Sequence, residues 1–362
     1  MKIYQWHNYG AILSGVISWS WRNREIFKDS PDVQSPIVDF NIFPGRERGP
    51  LDEEKLFDVK IQKVPELLVF LKRNINEWHI VNYCFDVLEA IDRVAPTITP
   101  RLKLIGWCHS DEDFYYYHLL KHRKRWSALA CVSERTFEVC NVLFPELAGR
   151  IFLIPCFNLP PPPVEPPRQV ENPVRIIYFG RMWQQQKRIL DFIPLIEKLK
   201  GKPFHFTFVG DGLQKAELQQ RLAPYAAQVT FKDVIAPWDI PEELSHHDIF
   251  MLVSEYEGNS VALLESMMAG LAPFVTRTRS GQSHLVNHMN CVQVPIGDMN
   301  EMAHQLETYA AQPDFLMLLK QQSRQSAQKL VEDLGYRETF LKLAAPQSKS
   351  ISSPAAPQLQ PT

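Results

Sequence analysis

Short apolar runs alternate with longer stretches of helical periodicity along the whole chain. In the first half the strand-like runs are KIYQW (2–6), PIVDF (36–40), HIVNYC (79–84), KLIGWC (103–108), ALACVS (128–133) and IFLIP (151–155). In the second half they are RIIYFG (175–180), FHFTFVG (204–210), QVTFK (228–232), IFMLVS (249–254), APFVT (272–276) and CVQVP (291–295). Several are apolar almost without interruption, the pattern of parallel strands covered on both faces. Helical periodicity occupies 187–200, 213–222, 260–270 and 299–310 between them. Alternation of this kind predicts an α/β protein with a doubly wound parallel sheet in each half. Such sheets bind ligands beyond the carboxyl ends of their strands, so two of them face to face predict a site in the cleft between.

The division between the halves is written in proline. The stretch NLPPPPVEPPRQVENP (158–173) holds seven prolines, each fixing φ and removing a backbone donor, and reads as an extended, semi-rigid connector. The organisation expected is a Rossmann-like domain over 1–158, the connector over 159–173, a second such domain over 174–335, and a helix over 336–345. A tail rich in Ser, Pro, Gln and Ala over 346–362 is expected to be disordered. A length of 362 residues suits two domains of ordinary size.

Composition narrows the partners. Hydrophobic content of 45%, charged content of 22% and a net charge of −2 are those of a globular protein with no global attraction for nucleic acid. The cysteines (84, 108, 131, 140, 156, 291) follow no metal or disulfide spacing and sit in apolar runs, which fits a reducing, cytoplasmic setting. The opening MKIYQWHNYG lacks a basic region followed by an apolar one, and no window approaches the roughly 18 apolar residues of a membrane span.

Candidate chemistry collects where strands run into helices. IFMLVS leads into EYEGNS, and VALLESMMAG is helical with Gly270 at its end. Ser260 or Asn259 is placed to cap that helix, leaving first-turn N–H groups for an anion such as a diphosphate. Glu265 lies about one and a half turns into the helix among Leu264, Met267 and Met268, where a buried carboxylate needs a donor. A ribose diol would supply two. Glu257, in the loop, is placed for sugar hydroxyls or a developing positive charge. On spacing alone, these glutamates read more readily as surface acids flanking a buried helix. RIIYFGRMWQQQKRILDF then sets Arg181 after a strand and Lys187 near a helix start, a fork of donors and a compact charge suited to phosphates.

These segments together resemble the donor-binding half of retaining glycosyltransferases of family 4, which have the GT-B fold of two Rossmann-like domains facing a central cleft. The resemblance runs from about Arg175 to Asp298 and rests on YFGRMWQQQK, FVGDG (208–212) and EGNSVALLE (257–265), in the family's order. It implies that Arg181 and Lys187 hold the diphosphate of a nucleotide-sugar donor. Glu257 would contact the transferred sugar and Glu265 the ribose, with Gly258, Asn259, Ser260 and Val261 forming the donor-binding loop. More loosely, the first half resembles the family's acceptor domain. His109, after the strand in LIGWCHSDEDFYYY, would face the sugar, and Gly15 in ILSGVISWSW would let the backbone approach the phosphate. The chain departs from the family at Ser14-Gly15, Arg188, Asn259-Ser260 and His284. The implied reaction is transfer to a glycan, lipid-linked or small-molecule acceptor, needing neither metal nor cofactor.

Two other segments carry alternatives. KHRKRW (121–126) is either a patch for peripheral contact with an anionic membrane face or a solvated helix face. VGDG lacks the third glycine of a dinucleotide fingerprint. A sugar-phosphate-dependent phosphorylase or synthase of the same fold, and a non-catalytic nucleotide-binding scaffold, remain the competing functions.

Overall fold

The computed structural model describes residues 1–8, 15–42, 51–158, 166–333 and 335–344. Ser14, the core of the Pro-rich connector (159–165) and the tail from Pro346 lie outside these.

Among the described residues thirteen strands form two sheets, with every pairing parallel. The first comprises β1 (Ile3–His7), β2 (Ile37–Phe40), β3 (Val59–Ile61), β4 (Trp78–Val81), β5 (Lys103–Cys108), β6 (Trp126–Cys131) and β7 (Ile151–Leu153). Their order in space is β3-β2-β1-β4-β5-β6-β7. The second comprises β8 (Val174–Phe179), β9 (Phe204–Val209), β10 (Val229–Lys232), β11 (Ile249–Leu252), β12 (Ala272–Thr276) and β13 (Val292–Val294), in the order β10-β9-β8-β11-β12-β13. Each strand run read from the sequence is present. The addition is β3, whose three residues, Val-Lys-Ile at a sheet edge, are too short for a pattern to register.

Both orders reverse direction once, between β1 and β4 and between β8 and β11. Loops leaving such strands diverge to opposite faces and open a crevice at the carboxyl edge. The segments singled out for chemistry leave β5, β8 and β11 at those edges.

One departure from the expected helices has a local cause, and another helix stands where expected. The segment 187–200 is not one helix: a short turn, Gln184–Lys187, ends at Arg188, whose φ of 46° is left-handed, and Phe192–Lys198 follows. Arg188 is held there by Nε to Asp191 (2.8 Å) and Nη1 to Glu255 (2.7 Å). The helix Val261–Ala269 starts at Ser260, whose Oγ accepts from the Leu263 N–H (3.3 Å), and stops at Gly270 with φ of 84°. Apolar on nearly every face, it is buried between the helices Gly15–Ile26 and Pro313–Asp333.

The chain ends by crossing back. Helix Tyr336–Lys342 docks on the first half, with Tyr336 OH donating to Asn23 Oδ1 (2.8 Å) and Phe340 stacked near Phe27 (5.3 Å) and Trp107 (6.0 Å). Within the described part of the connector, Arg168 pairs with the fully buried Asp248 (3.0 Å), which also meets the buried Lys320 (2.9 Å). All six cysteines are buried thiols. No helix among the described residues is long and apolar enough to cross a membrane.

Candidate active site in the cleft between the sheets

A cleft of about 1110 Å³, including its open mouth, lies between the two halves. Its wall includes Arg181, Lys187, Glu257, Glu265 and His109, together with Gly15 and the loop Gly258, Asn259, Ser260 and Val261. Residues singled out along the sequence thus meet in one place.

The floor on the second half is a backbone feature. Gly210, with φ of 133°, follows β9, and a Cβ there would stand 2.2 Å from the Gly180 carbonyl oxygen. Only glycine lets the loops after β8 and β9 touch, so GDG serves loop packing and brings Gly180-Arg181 to the cleft. Arg181 Nη2 donates to Gln186 Oε1 (2.8 Å), and its guanidinium lies 5.4 Å from the Trp183 ring centroid. Lys187 Nζ is 2.6 Å from Glu257 Oε1, an oxygen that also accepts from Ser254 Oγ (2.6 Å). Glu257 is thereby held between Ser254 and Lys187, and both Glu257 and Lys187 line the cleft.

Two of the residues expected to meet the donor also have partners within the chain. Glu265 pairs with Arg22 of helix Gly15–Ile26 on the opposite half, both side chains almost fully buried. Asn259 turns its Oδ1 to the Cys156 N–H (3.0 Å), tying the loop to the end of the first half, and the cap is Ser260 alone. His284, where the family commonly has an acid, packs its ring against Phe157 (5.8 Å), and burial pushes it down to about 4.

The halves meet closely behind the cleft. Ser133 and Ser280 hydroxyls are 2.8 Å apart, Arg279 Nε donates to Asp111 (2.8 Å), and Ser283 donates to Glu134 (2.9 Å). A Cβ on Gly258 would sit 2.0 Å from the His109 carbonyl oxygen and 2.7 Å from Ser110 Cα. Backbone cannot yield there as a side-chain tip can. Gly258→Ala is expected to lose roughly 1–3 kcal/mol in denaturant unfolding; unchanged stability would show that the halves do not meet here in solution.

His109 contributes its ring from the loop after β5, donating from Nε2 to Asn82 Oδ1 (2.9 Å) between Trp19 and Trp107. Burial, with a smaller push from His7, holds it well below the usual histidine range. Sequence reading missed Glu112, three positions on in HSDE. It occupies the N-cap position of helix Asp113–Lys121 without capping it, and lines the cleft instead. Burial raises its carboxyl, opposed by the Tyr256 hydroxyl, Arg181 and Lys187. The available signal was an acid beside a candidate histidine at a strand's carboxyl end.

The remaining candidates resolve differently. In KHRKRW, Lys121 pairs with Glu89, Arg123 with Glu146 (2.8 Å) and Arg125 with Asp92 (2.6 Å), while Trp126 is buried. Trp19 and Tyr115 are core, whereas Phe114 and Tyr117 are exposed. Among the described residues, no group of three or more His, Cys, Asp or Glu is arranged to hold a metal ion.

Comparison with known proteins agrees with this architecture. A sequence search of curated proteins gives no match. Residues 173–312 match the family model described as glycosyl transferases group 1. Among solved structures, a Staphylococcus aureus TarM variant in complex with fondaparinux, α-GlcNAc-glycerol and UDP superposes with a TM-score of 0.73 at 12% identity, over 94% of this chain and 99% of that one. Anabaena HepE in complex with UDP-glucose gives 0.69 at 14% identity, over 95% and 98%. The pneumococcal O-GlcNAc transferase GtfA in complex with UDP and GlcNAc gives 0.67 at 12% identity, over 96% and 99%. At such identities the likeness concerns the fold. The chain has the GT-B architecture, and its residues 173–312 are similar to the glycosyl transferases group 1 family.

Proposed function

We propose that this protein is a retaining, metal-independent glycosyltransferase of family 4. It would move a sugar from a nucleotide-diphosphate sugar to an acceptor hydroxyl on a glycan, lipid-linked or small-molecule acceptor. The observation that carries the reading is the convergence of Arg181, Lys187, Glu257, Glu265 and the start of helix Val261–Ala269 on one cleft. The UDP, UDP-glucose and GlcNAc in complex with the similar proteins support the same ligand class.

In this reading the diphosphate lies against the first-turn N–H groups of that helix, with Arg181 and Lys187 on its oxygens. The Glu265 carboxylate accepts from the ribose hydroxyls while Arg22 balances its charge. Glu257 and His109 face the sugar, and Gly15 admits the phosphate closely. As the bond from the anomeric carbon to the diphosphate breaks, negative charge grows on the leaving oxygen, where the two cations stabilise it. The acceptor oxygen bonds to the anomeric carbon on the same face, and its proton passes to the departing phosphate. Closure of the halves keeps water away.

Nucleoside diphosphates tested one at a time, UDP first, should raise the thermal midpoint where inorganic phosphate at equal concentration does not. Saturation at 100 times Kd corresponds to about 2.7 kcal/mol. A rise with no nucleotide released from the matching nucleotide sugar would favour a binding scaffold. No rise with any nucleotide would sink the reading.

A further inference from the structure

Behind His109 lies a run of buried polar side chains that the proposed reaction does not use. It joins the carboxyl ends of β1, β4 and β5, the point where the first sheet reverses direction. Its central member is Asn82, immediately beyond β4 and fully buried. The Asn82 Nδ2 group is 3.2 Å from the Trp6 carbonyl oxygen, which can only accept. That contact settles the orientation of the amide: Nδ2 is the donor end and Oδ1 the acceptor end. The second Nδ2 hydrogen meets His7 Nε2 at 3.1 Å, which must then carry a lone pair. Ser20 Oγ approaches the same nitrogen at 2.7 Å, and His7 Nδ1 faces Tyr83 OH at 3.4 Å. His7 is held neutral, pushed down to about 3 by burial.

The consequence falls on the cleft. Because Asn82 Oδ1 can only accept, His109 Nε2, 2.9 Å away, must be the N–H. A neutral imidazole has one N–H, so Nδ1 keeps its lone pair. Among the described residues Nδ1 has no hydrogen-bond partner, and it is not among the buried side-chain nitrogens lacking one. It therefore opens to the cleft that the ring lines.

We propose that Asn82 is a positioning residue that locks His109 in the Nε2–H tautomer, so that the ring meets the bound sugar only as a hydrogen-bond acceptor. Resting on the glycosyltransferase reading, this defines the sugar group opposite His109 as a hydroxyl or amide N–H donor. A carboxylate, carbonyl or phosphate oxygen there would face a lone pair. A protonated His109 would reverse the preference, and the surroundings prevent it. Around the ring stand His7 of β1, the Tyr115 phenol of helix Asp113–Lys121 and the indoles of Trp19 and Trp107. None of these supplies a carboxylate, and Glu112 and Glu257 on the same cleft wall do not offset the burial and the His7 field that keep the ring neutral.

The test is nitrogen NMR on histidine-labelled full-length protein, with the His109 signals assigned by their loss in His109→Gln. In the wild type His109 should show the Nε2–H tautomer, unprotonated down to pH 6. In Asn82→Leu, Oδ1 is gone and the tautomer should become mixed. In Asn82→Asp, which keeps the shape, the new carboxylate should raise the His109 pKa towards neutrality. Turnover of UDP-glucose, measured as UDP release, should then fall about tenfold between pH 8 and pH 6, while the wild type stays level, since one pH unit below a pKa leaves about a tenth of the ring neutral. An Nδ1–H tautomer in the wild type, or a tautomer and pH profile unmoved in both variants, would overturn the proposal. The NMR arm requires no substrate. A locked tautomer in a protein that releases no nucleotide from any nucleotide sugar would therefore refute the glycosyltransferase reading and leave the positioning role standing.

Discussion

Replacing Lys187 or Arg181 with alanine is expected to lower nucleotide-sugar turnover by about 10²–10³-fold, the loss typical of deleting one preorganised group at a developing oxyanion. The two sites should differ in kind. Lys187 stands 2.6 Å from Glu257, so its removal deletes a phosphate contact and also leaves the Glu257 carboxylate unbalanced beside the leaving group. Lys187→Ala should therefore be the more damaging, and Glu257→Gln in the same chain should recover part of the loss. Arg181 is held by Gln186 and Trp183, not by an acid, so Arg181→Ala removes charge without freeing any. Its effect should lie mainly in kcat. Nucleotide release measured at saturating donor decides the matter; single variants within fivefold of wild type would show that these cations are not at the reacting diphosphate.

The second large effect is on stability. Arg22 and Glu265 form an ion pair across the halves with both side chains almost fully buried. Removing one partner of such a pair strands the other in low dielectric and typically costs about 3–5 kcal/mol. Arg22→Leu is expected to lose that much in denaturant unfolding. Arg22→Leu with Glu265→Leu should return most of it, because an apolar pair of similar volume carries no uncompensated charge. If the single and double variants are equally unstable, the pair does not exist in solution. UDP adds a functional reading: if Glu265 accepts from the ribose, saturating UDP should rescue Arg22→Leu and fail to rescue the double variant.

Much of the architecture was legible before any coordinates, for one physical reason. Parallel strands buried on both faces are written as apolar runs, and β1, β5, β9 and β11 all stand where such runs lie. β3 escaped because three residues at an edge, with a lysine in the middle, carry no such signature. The broken helix after Lys187 escaped because Arg188 takes a left-handed backbone that its side-chain partners Asp191 and Glu255 hold in place. That is a tertiary effect overriding local preference. At the site, Gly180-Arg181, Lys187 and EGNSVALLE could be placed because strand-to-helix loops fall at carboxyl edges by topology alone.

Sequence pattern thus determined the α/β class, the strands that build both sheets, and the loops that hold candidate groups at one edge. It could not say what each of those groups touches. Glu265 was read as an acid awaiting a ribose, and folding sets it against Arg22 from the other half. Asn259 was read as a donor contact, and folding turns it to the Cys156 backbone. His109 was read as facing the sugar, and folding gives it Asn82 and, through that residue, one tautomer. Periodicity reports which face of an element is buried. Hydrogen bonds and ion pairs depend on separations of a few ångströms between segments remote in the chain, and only the packed structure decides those.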